Sequence, residues 1–446
     1  MYRLTALFSI AAFSYAAVDR QTLEHLCTEE LTRTAIPGIA VAVIEGGGVA
    51  FAKGFGVASI EAVAPVTADH LFRIGSTTKA FVATAVLRLA EQRKLNLDDP
   101  VGKYIHGLPP GIARATIEQA LTHRAGLIEW GESFGPHDDE ALARTIAAWT
   151  PETQFTNAGE IVSYTNLSYL LAGRVIEVVA AKPFADAMEE LVFKPLGMER
   201  TTFRPTLAMT YPLAQGHVAR EGNTVIVGRP AADHAGYWPG GSIFTSANEF
   251  VRFAVALLNK GVVRGKQSIS ADVIAKLTTR REPYPSATGT EYYGYGLATS
   301  LSSQTPILAH GGFRNGYTSE MLLAPERGIG VIVLGNRSGG DVGTLARRLF
   351  ESALGESMKE AEVKPQPAAL PLRAYQGVFT NRDQVLEVQA ADSGMLVIKT
   401  PEGPRTVTHL AHGCFVSEKE VSFCFAGGGA KPKYLHTGLV AFRRKE

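Results

Sequence analysis

The 446-residue chain reads as an α+β protein, an antiparallel sheet with a helical block inserted into it, followed by a small antiparallel β domain. Hairpin signals stand near both ends of the larger part of the chain. Helical periods occupy the stretch between them. A charged, proline-rich segment then gives way to short alternating apolar runs.

The first element is not part of the fold. "MYRLTALFSIAAFSYAAVDR" has one basic residue, Arg3, an apolar run over residues 4–13, and small residues that permit cleavage after Ala16 or Ala17. Residues 1–17 are read as a signal peptide, which predicts an exported protein, periplasmic or extracellular. The apolar run falls short of the roughly 20 residues a membrane helix needs, and no later stretch approaches that length. A soluble protein without a membrane span is expected.

The larger domain is placed at residues 18–356. "GIAVAVIEGGGVAFAKGFGVAS" gives two β runs around Gly46, Gly47 and Gly48, and "SEMLLAPERGIGVIVLGN" gives two more around Pro325 to Gly328. Between them, helical patterns occupy residues 77–94, 140–149, 166–181 and 247–259. Residues 357–371, "SMKEAEVKPQPAALP", have the composition of a linker. In residues 372–446 the runs "YQGVFT", "QVLEVQA", "GMLVIKT" and "GLVAFRR" predict a small sheet or barrel. Cys414 and Cys424 flank a charged centre at Lys419, which places their sulfurs across a hairpin and predicts a disulfide. Cys27 has no partner and is expected in the core.

Composition narrows the function. The chain is 46% hydrophobic with a formal net charge of +1 and no block of like charge, so nothing draws it to nucleic acid or to an anionic membrane. A small molecule or short peptide is the expected partner, and scattered cysteines suggest no metal.

Three segments can converge on a cleft between sheet and helices. In "FRIGSTTKAF", Ser76 and Lys79 stand three residues apart where an apolar helix begins, so the amine can reach the hydroxyl. A desolvated lysine can take a serine proton, although serine is equally an ordinary helix cap. In "SYTNLSYLLAGRVIE", Tyr164 and Asn166 can line one wall. The phenol can share a proton, and the Asn166 amide can bind a substrate carbonyl, orient the lysine or cap the helix. In "LAHGGFRNGYTS", His310 can donate a hydrogen bond or protonate a leaving group, and glycines let a ligand approach the backbone. "DHAGYWPGG" offers a second His-x-Gly at His234 and Gly236, read as a loop that leaves His234 a possible wall group.

Ser76-x-x-Lys79, Tyr164-x-Asn166 and His310-x-Gly312, in this order, resemble the β-lactamase-related serine hydrolases: class C β-lactamases, D-aminopeptidases, D-stereospecific carboxypeptidases and related esterases. "LNLDDPVGKYI", "ALTHRAGL" and "PGGSIFTSANEFVRFA" extend the resemblance over about residues 20–355. It implies the β-lactamase/transpeptidase-like fold, with Ser76 as acylated nucleophile, Lys79 and Tyr164 sharing base and acid work, and His310 in the third-motif position. Asn166 would bind the carbonyl side, and the N–H groups of Ser76 and Phe313 would form the oxyanion hole. No metal or organic cofactor is implied. The chain departs from the Lys-Thr-Gly of class C β-lactamases by carrying His310 and Gly311, which weakens the case for β-lactam turnover. Arg314, close by, can replace the lost charge. The expected activity is hydrolysis of a small ester, amide or D-amino-acid peptide through a Ser76 acyl-enzyme. The alternatives are a true class C β-lactamase and a binding protein for penicillin-like or peptidoglycan fragments.

Overall fold

The computed structural model describes residues 19–445 apart from 221–223, 280, 303–304, 360–362, 392–393 and 419–420. Residues 1–17, read above as a signal peptide, and Lys419 lie outside the described residues.

Eight antiparallel strands form the main sheet. From edge to edge they are Gly48–Gly56, Gly38–Glu45, Ile329–Gly335, Tyr317–Ala324, Thr305–Arg314, Ala298–Ser302, Tyr292–Tyr293 and Glu282–Pro283. The glycine hairpin turns on Gly46 (φ 56°) and Gly47 (φ 73°), left-handed values that a side chain would strain. The first and last parts of the domain then meet at the sheet centre, where Ile39 pairs with Gly335 and Ile44 with Gly330.

Both sheet faces are covered, which explains the continuous apolar runs in these strands. Ile39, Val41 and Val43 pack with Val331 and Val333 against the helices Arg20–Thr34 and Val342–Leu354, a layer that also buries Cys27. Ala40, Ala42 and Ile44 point to the opposite face and join the large core shared with the helical block. The four helical patterns resolve as Thr78–Glu91, Ala141–Ala147, Asn166–Ala180 and Ala247–Leu258. The Thr78–Glu91 helix is buried almost all round, and Phe81 stacks on Phe253 with ring centroids 3.9 Å apart. That burial holds the helix rigid and carries Lys79 out of contact with water.

The tail closes into an eight-stranded antiparallel barrel from Gly377–Asn381 to Val440–Arg444, with Phe379, Leu396, Ile398, Phe415 and Leu435 in its interior. Cys414 sits opposite Cys424 on paired strands, and the two are joined in a disulfide. The barrel does not hang free. Tyr434 Oη meets Thr156 Oγ1 at 2.8 Å and donates to Glu160 Oε1 at 2.8 Å, and Ala441 N donates to Ser163 Oγ at 3.2 Å. Two more bonds reach further in: Tyr164 N donates to Leu439 O at 2.9 Å, and Glu129 N donates to Asn381 Oδ1 at 3.1 Å. Among the described residues no helix is long and apolar enough to cross a membrane.

Candidate active site

Ser76 lies in the single 3-10 turn Gly75–Thr77 that leads into the Thr78–Glu91 helix. It is not the helix cap that the sequence also allowed. The Ncap position belongs to Thr77, and no side chain caps there, so the Ser76 hydroxyl is free for other partners. Gly75 takes φ 50°, and a Cβ on it would stand 2.4 Å from Phe313 N. This close approach brings the strand Thr305–Arg314 against the turn that carries Ser76.

Lys79 is fully buried, and its Nζ has three partners. It lies 3.0 Å from Ser76 Oγ, 2.8 Å from Asn166 Oδ1 and 2.6 Å from Gly240 O. Two of these, the amide oxygen and the backbone carbonyl, can only accept. A neutral amine has two N–H bonds and one lone pair, so with both N–H groups so engaged the lone pair faces the Ser76 hydroxyl. Burial pushes the Lys79 ammonium down to about 7, with Glu129 pulling it up and Arg314 reinforcing the drop. A neutral amine is therefore well populated at neutral pH.

Asn166 opens the helix Asn166–Ala180, and Thr165 rather than Asn166 caps it, accepting from Leu167 N at 3.1 Å. Both ends of the Asn166 amide are engaged. Oδ1 takes Lys79, and Nδ2 donates to Glu129 Oε1 at 3.1 Å, while Glu129 Oε2 accepts Asn166 N at 3.1 Å. The amide is thus held as a lysine-orienting group, the second of the readings its sequence position allowed, and the bond to Glu129 uses one of the two Nδ2 donors, which leaves the other for a substrate carbonyl.

Tyr164 stands beside them, with its ring centroid 4.7 Å from Lys79 Nζ. Burial raises its phenol well above the ordinary value, with a hydrogen bond to Ser76 pulling the other way. At neutral pH it is a protonated donor, so Lys79 is the better base of the two.

His310 lines the same cavity as Ser76 and Tyr164, a space of about 550 Å³. Its place in the third motif is as expected, but its chemistry is not. Nδ1 lies 2.6 Å from Gly311 O and Nε2 lies 3.0 Å from Tyr293 Oη, so one nitrogen donates to the carbonyl and the other accepts the phenol. Burial, aided by the Lys79 charge, pushes the imidazole down to about 3. A neutral ring with both nitrogens occupied is a buttress, not the proton donor that the sequence allowed. His234 is a loop residue: Nδ1 accepts Gly236 N at 3.1 Å and caps the turn Ala235–Tyr237.

The strand Thr305–Arg314 provides the open wall. Ala298–Ser302 pairs with it only as far as Ala309, so from His310 onward that edge has no ladder partner among the described residues. The two-residue turn at Asn315 and Gly316 closes on the pair Arg314 and Tyr317, and alternation then aims the Phe313 N–H off the open edge. Its side chain is 60% exposed, so it offers the backbone rather than a packed ring. Gly312 has no room for a side chain: a Cβ would stand 2.0 Å from Ile74 O and 2.4 Å from Ser319 Oγ. Gly312→Ala is expected to push this strand away from the Ser76 turn, costing about 1–3 kcal/mol and most of the activity. Thermal unfolding and ester turnover measured together check it.

Three residues of the site escaped sequence reasoning. Glu129 holds Asn166, His123 packs on the Tyr164 ring at 4.3 Å, and Tyr293 holds His310. His123 lies within "ALTHRAGL" and Glu129 just after it, but a lone carboxylate or imidazole in a loop has no local signature.

A buried amine aimed at a serine hydroxyl, beside an open strand edge with an outward N–H, defines a serine acyl-transfer hydrolase. Residues 23–354 match the family model described as Beta-lactamase. The chain belongs to that family and is a serine hydrolase. Over 363 residues it is 28% identical to penicillin-binding protein 4 of Amycolatopsis lactamdurans, covering 76% of this chain and 90% of that one. It is also 28% identical over 340 residues to an unguisins hydrolase of Aspergillus campestris, covering 72% of this chain and 61% of that longer protein. A crystal structure of SurE matches with TM-score 0.79 and 22% identity over 96% of this chain and 99% of that one. Including the barrel, the fold is therefore shared nearly from end to end.

Proposed function

We propose that this is an exported serine hydrolase that cleaves a small ester, amide or D-amino-acid peptide through a Ser76 acyl-enzyme. The observation behind this reading is the set of three hydrogen bonds on Lys79, which leaves its lone pair on the Ser76 hydroxyl. Lys79 takes the Ser76 proton as Oγ attacks the carbonyl, and the N–H groups of Ser76 and Phe313 hold the oxyanion. The Tyr164 phenol protonates the departing amine or alcohol and is reprotonated through Lys79. Water then hydrolyses the acyl-enzyme by the reverse path. Export is supported by the leader composition and by a disulfide, a bond favoured outside the cytoplasm.

Efficient β-lactam turnover fits less well. Glu320 Oε2 lies 2.8 Å from where a Gly311 Cβ would be, so a carboxylate occupies the space of the threonine side chain in Lys-Thr-Gly. Burial raises this carboxyl to about 7, but it brings no positive charge. The test is turnover of p-nitrophenyl butyrate, D-alanine p-nitroanilide and nitrocefin beside a Ser76→Ala control. The ester and the anilide are expected to be cleaved, and nitrocefin slowly if at all. If wild type and control agree on all three and no acyl adduct forms on Ser76 by mass spectrometry, the hydrolase reading fails.

A further inference from the structure

One cation beside this site has no ion-pair partner of its own among the described residues. Arg314 ends the strand Thr305–Arg314, and alternation puts it on the face of His310 and Gly312, the face turned to the Ser76 turn. Its Nε and Nη2 are buried and donate to no acceptor among the described residues. The neighbouring acid, Asp233, is already engaged by Arg73, by Trp238 Nε1 at 3.1 Å and by His137 Nδ1 at 2.8 Å. A guanidinium with two of its nitrogens withdrawn from water and unpaired is costly unless an anion completes it. Burial and the adjacent Arg73 lower it to about 10, which still leaves it charged at neutral pH, and its field reaches Lys79.

Its place along the strand says which part of a substrate it meets. His310, at one end of the open edge, lies beside Tyr164, where the leaving group departs, with ring centroids 6.3 Å apart. Arg314 lies at the other end, beyond Phe313, so it meets what the acyl carbon carries. Resting on the serine-hydrolase reading above, we infer that Arg314 receives a carboxylate borne by the acyl portion of the substrate. The preferred substrates are then monoesters or monoamides of dicarboxylic acids, or of acidic amino acids linked through the other carboxyl.

The test compares the mono-4-nitrophenyl ester of glutaric acid with 4-nitrophenyl pentanoate, which has the same acyl length and no charge. Wild type is expected to favour the anionic ester by about 10- to 100-fold in kcat/KM, mainly through KM, the range of a charge-assisted hydrogen bond. Arg314→Gln is expected to bring the ratio to about one. Arg314→Lys is expected to keep part of it, because a point charge replaces a fork. Each variant is judged by its own ratio, so loss of folded protein cancels. A ratio near one in wild type, or a ratio that survives in Arg314→Gln, overturns this inference alone. Failure of both esters to exceed the Ser76→Ala control overturns it together with the hydrolase reading.

Discussion

Exchanging Lys79 for arginine will abolish acylation of Ser76, lowering kcat/KM for p-nitrophenyl butyrate by at least about 10³-fold, within the range for loss of a positioned general base. Arginine keeps a positive charge and can still donate to Asn166 and Gly240, but it never becomes a neutral base in this pH range. The same reasoning fixes the wild-type pH profile. Because burial lowers Lys79 to about 7, the ammonium dominates below that value and has no lone pair to offer. Activity should therefore fall as pH drops through about 7 and level off above it. Glu129→Gln removes the charge that raises Lys79, so its acid limb should shift to lower pH. A limb unmoved in that variant would dissociate Lys79 from the profile.

Ending the chain at residue 371 will cost on the order of 10²-fold or more in kcat, although every candidate catalytic residue remains. The barrel supplies the acceptor for Tyr164 N through Leu439 O and the acceptor for Glu129 N through Asn381 Oδ1. Without it, the backbone that aims the phenol and the carboxylate that fixes Asn166 lose partners at once, and small misplacements near a reacting centre carry penalties of this size. Leu439 and Val440 also line the Ser76 cavity. The narrower variant Asn381→Ala should lower kcat more than it raises KM, because it loosens the Glu129 segment without touching substrate. Circular dichroism of the helical domain, recorded beside turnover, separates misplacement from unfolding.

Much of this was legible in the sequence because it is local. Hairpin glycines, helical periods and the Ser76–Lys79 and Tyr164–Asn166 spacings each act within a few residues, so the sheet and the helices can be read directly, while Ser76 and Lys79 stand out as a candidate nucleophile and base only through the ordered set with Tyr164, Asn166 and His310. The disulfide was legible for the same reason: a hairpin sets its two cysteines opposite each other. What could not be read depends on contacts far apart in the chain. Asn166 has three plausible uses on its own, and Glu129, 37 positions away, fixes which way its amide faces. His310 looks like an acid until Tyr293 occupies its nitrogen. The orphan state of Arg314 is visible only once Asp233 is seen to be engaged elsewhere.

The strand edge that loses its Ala298–Ser302 ladder at Ala309 has, among the described residues, no partner beside Ser76. An extended, peptide-like substrate can supply that partner, its own amides completing the ladder as it lies beside Ser76. Recognition would then begin with backbone and not side chain, and a substrate's chirality would decide which of the two sheet faces receives its substituent. Esters, which lack the N–H, would bind more loosely than amides of the same shape and rely on their greater reactivity.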